Sequence, residues 1–207
     1  MKILTISDKI IDIIYTPSIE ERLADIDFII SSGDLPNSYL EFIVTMLNKP
    51  LFYVFGNHHR KTVHAEHGKR TGGPEGCINI DNRIIEYRGL LIGGLEGSMR
   101  YRPGEHQYSD FEMCMKINRM KPMLYRNRIL KKKYIDILVT HAPPLGIHDG
   151  EDLCHRGFEC FNRFIKNYKP KYHIHGHIHY YGPDCQWLTE VGDTKVINTY
   201  GFQILEI

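Results

Sequence analysis

Leu51-Phe52-Tyr53-Val54-Phe55-Gly56-Asn57-His58-His59 is an apolar, aromatic run that stops at a glycine and three polar side chains. A buried strand reads this way, and in open α/β sheets ligands gather beyond the carboxyl ends of the strands. The pattern recurs along the chain. Lys2 to Ser7 runs into Asp8, Asp27 to Ser32 into Gly33-Asp34, Ile135 to Thr140 into His141, and Tyr172 to His175 into Gly176-His177-Ile178-His179. Five strands that each deliver Asp, Asn or His at the same end describe one shared site.

Between the strands lie amphipathic segments. Ser18 with Glu21 forms a capping-box pattern opening a helix through Ile26, and Ser38 with Glu41 opens a second helix with Leu40, Ile43, Val44 and Leu47 on one face. Further on, Arg83 to Tyr87 and Leu90 to Gly93 read as a hairpin turned at Arg88-Gly89. Met113 to Leu130 reads as an amphipathic helix with a solvated basic face ending at Lys131-Lys132-Lys133, and another helix starts near Phe158. Gln186 to Val191, Lys195 to Thr199 and Phe202 to Ile207 read as a terminal antiparallel meander. The expected fold is α/β, a four-layer sandwich of two mixed β-sheets flanked by helices, in a single domain over residues 1–207 with the site at strand carboxyl ends.

Composition narrows the function classes. The 207 residues include 26 Lys plus Arg against 25 Asp plus Glu, so bulk charge does not argue for nucleic acid or an anionic membrane as partner. The first strand is too short for a signal-peptide core or a membrane span, and a cytoplasmic location is expected. Cys77, Cys114, Cys154, Cys160 and Cys185 are odd in number and form no Cys-x-x-Cys pair, which fits reduced thiols. No metal site is expected on them. The 12 histidines are the outlier.

The strand-end residues have the chemistry of a divalent-ion site. An ion that activates water at neutral pH suits hard oxygen and imidazole donors with positions left open. Two ions about 3.5–4 Å apart need a carboxylate to bridge them. Asp34, which follows a glycine where backbone crowds the ions, is the candidate bridge.

These motifs resemble the calcineurin-like metallophosphoesterase superfamily. Its pattern of Asp-x-His, Gly-Asp-x-x-Asp/Asn, Gly-Asn-His-Asp/Glu, a lone His and Gly-His-x-His is met by Asp8-Lys9-Ile10, Gly33-Asp34-Leu35-Pro36-Asn37, Gly56-Asn57-His58-His59, His141 and Gly176-His177-Ile178-His179. The resemblance implies two divalent ions (Mn, Fe or Zn), with Asp34 bridging, Asn57, His141 and His177 completing one sphere, and Asp8 and His179 holding the other. It implies that His58 assists the scissile phosphate without binding metal. The implied reaction is hydrolysis of a phosphomonoester or phosphodiester bond in a small substrate, by in-line attack of a metal-bound hydroxide.

Two positions depart from the family pattern. Ile10 replaces a ligand histidine, which weakens the Asp8 site, and His59 stands where an acid orients the preceding histidine. The segment Pro143 to His155 offers His148, Asp149, Asp152 and His155 as replacement ligands or substrate contacts; the plainer reading is a solvated turn. His173 and His175 read as core histidines, whereas His64 and His67 read as a lid or a basic surface loop. Besides the hydrolase, two alternatives stand: a degenerate scaffold or binding module favoured by Ile10, and a nuclease that would need an electropositive groove.

Overall fold

The protein is described by a computed structural model covering residues 1–59, 62–65, 68–179 and 186–207, with 62–65 and 68–71 described by their backbone. The first half alternates strand and helix: β1 (Lys2–Ser7), α1 (Ile19–Arg22), β2 (Phe28–Ser31), α2 (Asn37–Leu47) and β3 (Leu51–Tyr53). An antiparallel pair, β4 (Thr62–Ala65) and β5 (Gly68–Thr71), precedes β6 (Ile78–Asn79) and the hairpin of β7 (Ile84–Tyr87) and β8 (Leu90–Leu95). Next come β9 (Ser98–Met99), β10 (Gln107–Tyr108), α3 (Asp110–Lys131), β11 (Ile137–Thr140), α4 (Glu159–Tyr168) and β12 (Tyr172–His175). The last elements are β13 (Leu188–Val191), β14 (Thr194–Asn198) and β15 (Gly201–Glu206).

Among the described residues, one sheet runs β15-β1-β2-β3-β6 and the other β13-β14-β12-β11-β8-β7. Strand alternation sorts the side chains into layers. Ile3, Phe28, Ile30 and Phe52 of the first sheet meet Ile137, Val139 and Ile174 of the second in one core between the sheets. Their neighbours Leu4, Ile6, Ile29, Leu51 and Tyr53 point the other way, onto Ile19 of α1 and Tyr39, Leu40, Ile43 and Leu47 of α2. Leu138 faces Met113, Met120 and Leu124 of α3 and Phe161 and Phe164 of α4. Helix, sheet, sheet, helix is the four-layer order expected. Phe28, Phe52 and Tyr87 lock the centre edge to face at 5.3–5.8 Å, and burying each such ring contributes about 1.5–3 kcal/mol.

Several local expectations give way to tertiary demands. The terminal meander does not form: β13 and β14 pair antiparallel, but β15 leaves that sheet and pairs antiparallel with β1. β14 instead runs parallel to β12. Sequence spacing carries no sign of this crossing. α1 stops at Arg22 rather than Ile26, and the Ser18 hydroxyl bonds Thr16 instead of capping the helix. Glu41 likewise closes no capping box, because its carboxylate accepts from the Glu75 N–H at 2.9 Å. The box occurs at Ser109 and Glu112, opening α3. The solvated face of α3 is not uniformly basic, since Phe111 and Ile129 are 74% and 70% exposed.

Parallel pairing within each sheet brings the carboxyl ends of β1, β2, β3, β11 and β12 to one edge. The two sheets are tied together there. The His177 N–H donates to Asp8 Oδ2 at 2.9 Å, His141 Nδ1 to Ser32 O at 2.8 Å, and the Thr199 hydroxyl to Ser7 Oγ at 3.2 Å.

Candidate metal centre

At that edge the backbone turns sharply. Asp8, Asp34 and His177 have φ of 61°, 54° and 69°, in the left-handed region that side-chain-bearing residues seldom adopt. Such conformations cluster where function overrides local preference. Two glycines permit the crowding: a Cβ on Gly56 would lie 2.0 Å from Asp34 Oδ1, and one on Gly176 would lie 2.4 Å from Asp8 Oδ2.

The side chains then converge. His141 Nε2 lies 3.2 Å from Asp34 Oδ2 and 3.0 Å from Asn57 Oδ1. Donor atoms of Asp34, His141 and His177 all fall within 4.8 Å of one another. Backbone carbonyls decide which imidazole nitrogen is available. His141 Nδ1–H donates to Ser32 O at 2.8 Å, which aims Nε2 at Asp34 Oδ2 and Asn57 Oδ1. His177 Nε2–H donates to Cys154 O at 2.8 Å, which leaves its Nδ1 lone pair free to ligate. Asn57 Nδ2 reaches the Tyr101 hydroxyl at 3.5 Å, which aims its carbonyl oxygen at the cluster. The donor set therefore fits a divalent ion.

A second cluster centres on Asp8. Its Oδ2 accepts from the His177 N–H at 2.9 Å, whereas Oδ1 is buried without a hydrogen-bond partner and lies 4.0 Å from His179 Nε2. An orphaned buried carboxylate oxygen is costly, and a cation is the partner that removes the cost. His179 stacks on Tyr200 at 4.7 Å. Ile10 is 42% exposed.

The electrostatics follow from burial and charge. Burial opposes ionisation of Asp34, but the neighbouring His141 and the His58 N–H hold its carboxyl well below the usual range. Burial pushes His141 down, and the carboxylates of Asp34 and Asp8 outweigh it, leaving it at about 9. His177 falls to about 3 through burial and the charge of His141, so it stays neutral as a ligand must. Burial raises Asp8.

The remaining expected residues divide between this site and its surroundings. His58 is exposed beside the cluster, its N–H donating to Asp34 Oδ1 at 2.9 Å. His59 stacks on Phe55 at 4.1 Å with His106 beyond, and its Nε2 has no hydrogen-bond partner. Asn37 starts α2 and reaches Gly72 O at 3.4 Å. His155 lies against His177 with ring centroids 5.3 Å apart and is bonded to Asp152 Oδ2 at 2.8 Å. Asp149 ties the loop, accepting from the N–H groups of Gly146 and Gly157. His148 sits between His175 Nε2 at 2.9 Å and the Thr189 hydroxyl at 2.8 Å. The contacts of this segment thus run to His177 and His175 rather than to Asp8. His173 and His175 are fully buried. His67 and the His64 side chain lie outside the described residues. Tyr101 and the Cys154 carbonyl went unnoticed in the sequence, because a loop tyrosine and a backbone oxygen carry no spacing signal.

Known proteins resemble this chain in sequence and in fold. A family model described as calcineurin-like phosphoesterase matches residues 1–181. The UPF0046 protein T07D4.2 of Caenorhabditis elegans is 44% identical over 127 residues, a stretch covering 59% of this chain but 28% of that protein. The chain thus matches well under half the length of that relative. The protein TT1561 of Thermus thermophilus superposes with a TM-score of 0.64 at 17% identity, covering 97% of this chain and 89% of that one. The phosphopantetheinyl hydrolase PptH of Mycobacterium tuberculosis superposes with a TM-score of 0.53 at 13% identity, with the same coverage. At these identities the superpositions show a shared fold.

Proposed function

Because the chain belongs to the calcineurin-like phosphoesterase family, we propose that it is a metal-dependent hydrolase of a phosphomonoester or phosphodiester bond in a small phosphorylated substrate. The observation that carries this reading is the convergence of Asp34, His141 and His177 donor atoms within 4.8 Å, with His141 Nδ1 and His177 Nε2 tied to Ser32 O and Cys154 O so that each ring keeps its other nitrogen for an ion. Asp34, Asn57, His141 and His177 would hold one ion, and Asp8, Asp34 and His179 the other. Mn, Fe and Zn all suit this mixture of donors. Bound divalent ions supply Lewis acidity toward a phosphoryl oxygen and activate water at neutral pH.

The protein's own groups handle position and proton. The His58 N–H on Asp34 Oδ1 fixes the backbone, so the exposed imidazole stands over the cluster. Water adds to phosphorus as the ester P–O bond breaks, the leaving oxygen takes its proton from His58, and the proton the water gives up passes to solvent, from which His58 is reprotonated. Tyr101 keeps Asn57 in the ligating orientation through the amide nitrogen. A location in the cytoplasm suits this chemistry.

Ile10 favours a second reading, a binding module that retains the fold and one ion. Hydrolysis of p-nitrophenyl phosphate and bis-p-nitrophenyl phosphate, with metal content measured alongside, separates the two. The hydrolase reading expects metal-dependent turnover that Asp34→Ala abolishes and His58→Ala lowers by about 10²–10⁴; bound metal without turnover on either substrate would favour the binding module.

A further inference from the structure

Away from the strand ends, helices α3 and α4 bring three metal-binding groups together. Asp110 and Cys114 are four residues apart on one face of α3, and Cys160 is the second residue of α4. Their donor atoms all lie within 4.8 Å of one another, with Cys114 Sγ 3.8 Å from Asp110 Oδ2. We infer that Asp110, Cys114 and Cys160 form a site for a thiophilic divalent ion of the zinc class, separate from the phosphoesterase centre.

The carboxylate is held in place for this role. Its Oδ1 accepts from the Cys160 N–H at 3.1 Å, which leaves Oδ2 toward Cys114. A tetrahedral zinc with Zn–S near 2.3 Å and Zn–O about 2.0–2.2 Å needs its donors roughly 3.5–3.8 Å apart, a small closure from the observed arrangement. Charge balances as well. Arg163 Nη2 lies 3.2 Å from both Asp110 Oδ2 and Cys114 Sγ, so two thiolates and a carboxylate face one guanidinium and one divalent cation, and the assembly is neutral. The fourth position opens on a cleft lined by Asn118, Lys121 and Asn167, where a water completes the sphere.

Binding replaces two thiol S–H bonds by metal–sulfur bonds and releases two protons to solvent. Burial and Asp110 push the Cys160 thiol well up, so Cys160 is a neutral thiol in the free site. The sequence reading expected no metal site on the cysteines, because Cys114 and Cys160 are far apart in the chain and meet only when α3 packs on α4. An ion here would tie the two helices that cover the second sheet.

Co2+ is the probe, because thiolate-to-cobalt charge transfer marks sulfur ligation and the phosphoesterase ligands contain no sulfur. Fully reduced wild type is expected to show this absorption, saturating near one equivalent. The band should persist in Asp34→Ala and in Cys154→Ser. Cys114→Ser, at a half-buried position, should cut the band to about half at saturation and weaken binding at this site by about tenfold or more, with the circular dichroism unchanged. Asp110→Asn should weaken binding while keeping the band, which guards against a folding defect in either variant. No charge-transfer band in the reduced wild type, or a band whose intensity and midpoint Cys114→Ser leaves unchanged, would overturn the site.

Discussion

The left-handed backbone at Asp8, Asp34 and His177 makes single atoms matter at this edge. At Gly56 a methyl group would sit 2.0 Å from Asp34 Oδ1, far inside contact distance, so Gly56→Ala must push the carboxylate off its position. Misplacement by about 1 Å costs roughly 100-fold in rate, and that loss of kcat is expected with the melting temperature little changed. Ile10 offers the opposite experiment. Ile10→His restores an imidazole two residues from Asp8, whose Oδ1 has no hydrogen-bond partner, and should tighten binding of the second metal equivalent on the order of tenfold or more, as read by calorimetric titration. The donors themselves were legible in the sequence, since each ends an apolar run. Their tautomers were not, because the carbonyls of Ser32 and Cys154 that set them come from distant backbone.

Strand β12 shows how an element serves two purposes through its alternation. Tyr172 and Ile174 enter the core between the sheets, while His173 and His175 face the helices and His177 follows beyond Gly176. His173 Nε2 bonds the Thr140 hydroxyl at 2.8 Å, with Phe161, His175 and His148 around it, and burial holds its pKa at about 3. Unfolded histidine titrates near 6.5, so below that pH the unfolded chain binds a proton that folded His173 refuses. Stability is therefore full above pH 6.5 and falls by about 1.4 kcal/mol per pH unit as acid is added toward the folded value. Denaturant midpoints should fall from pH 7 to 6 to 5, with His148, His175 and His177, also depressed by burial, adding to the slope, and His173→Gln, which can keep the bond to Thr140, should reduce the slope below pH 6.5 by about 1.4 kcal/mol per unit. The period-2 pattern made these buried histidines legible as core residues, whereas their partner His148 comes from a loop with no period.

For the whole molecule, the crossing of β15 from one sheet to the other is the feature that local patterns missed. Strand character and turns at Gly192 and Gly201 were readable, but the choice between β14 and β1 as partner is made by burial across the chain. Leu205 explains the choice: it is 9% exposed and joins Ile3 and Phe28 between the sheets. Leu205→Ala should cost about 2–5 kcal/mol in a denaturant melt, with both sheets lost in one transition. The two layers are also what the proposed hydrolase depends on, since Asp34 and Asn57 come from one sheet and His141 and His177 from the other. His58 is the test of that reading, because the proposed reaction gives it a part in turnover and no place among the ligands. Bound metal and kcat on p-nitrophenyl phosphate, measured in the same preparations of wild type and His58→Ala, should show equal metal and a kcat lower by about 10²–10⁴ in the variant. Equal turnover in both proteins would contradict the account.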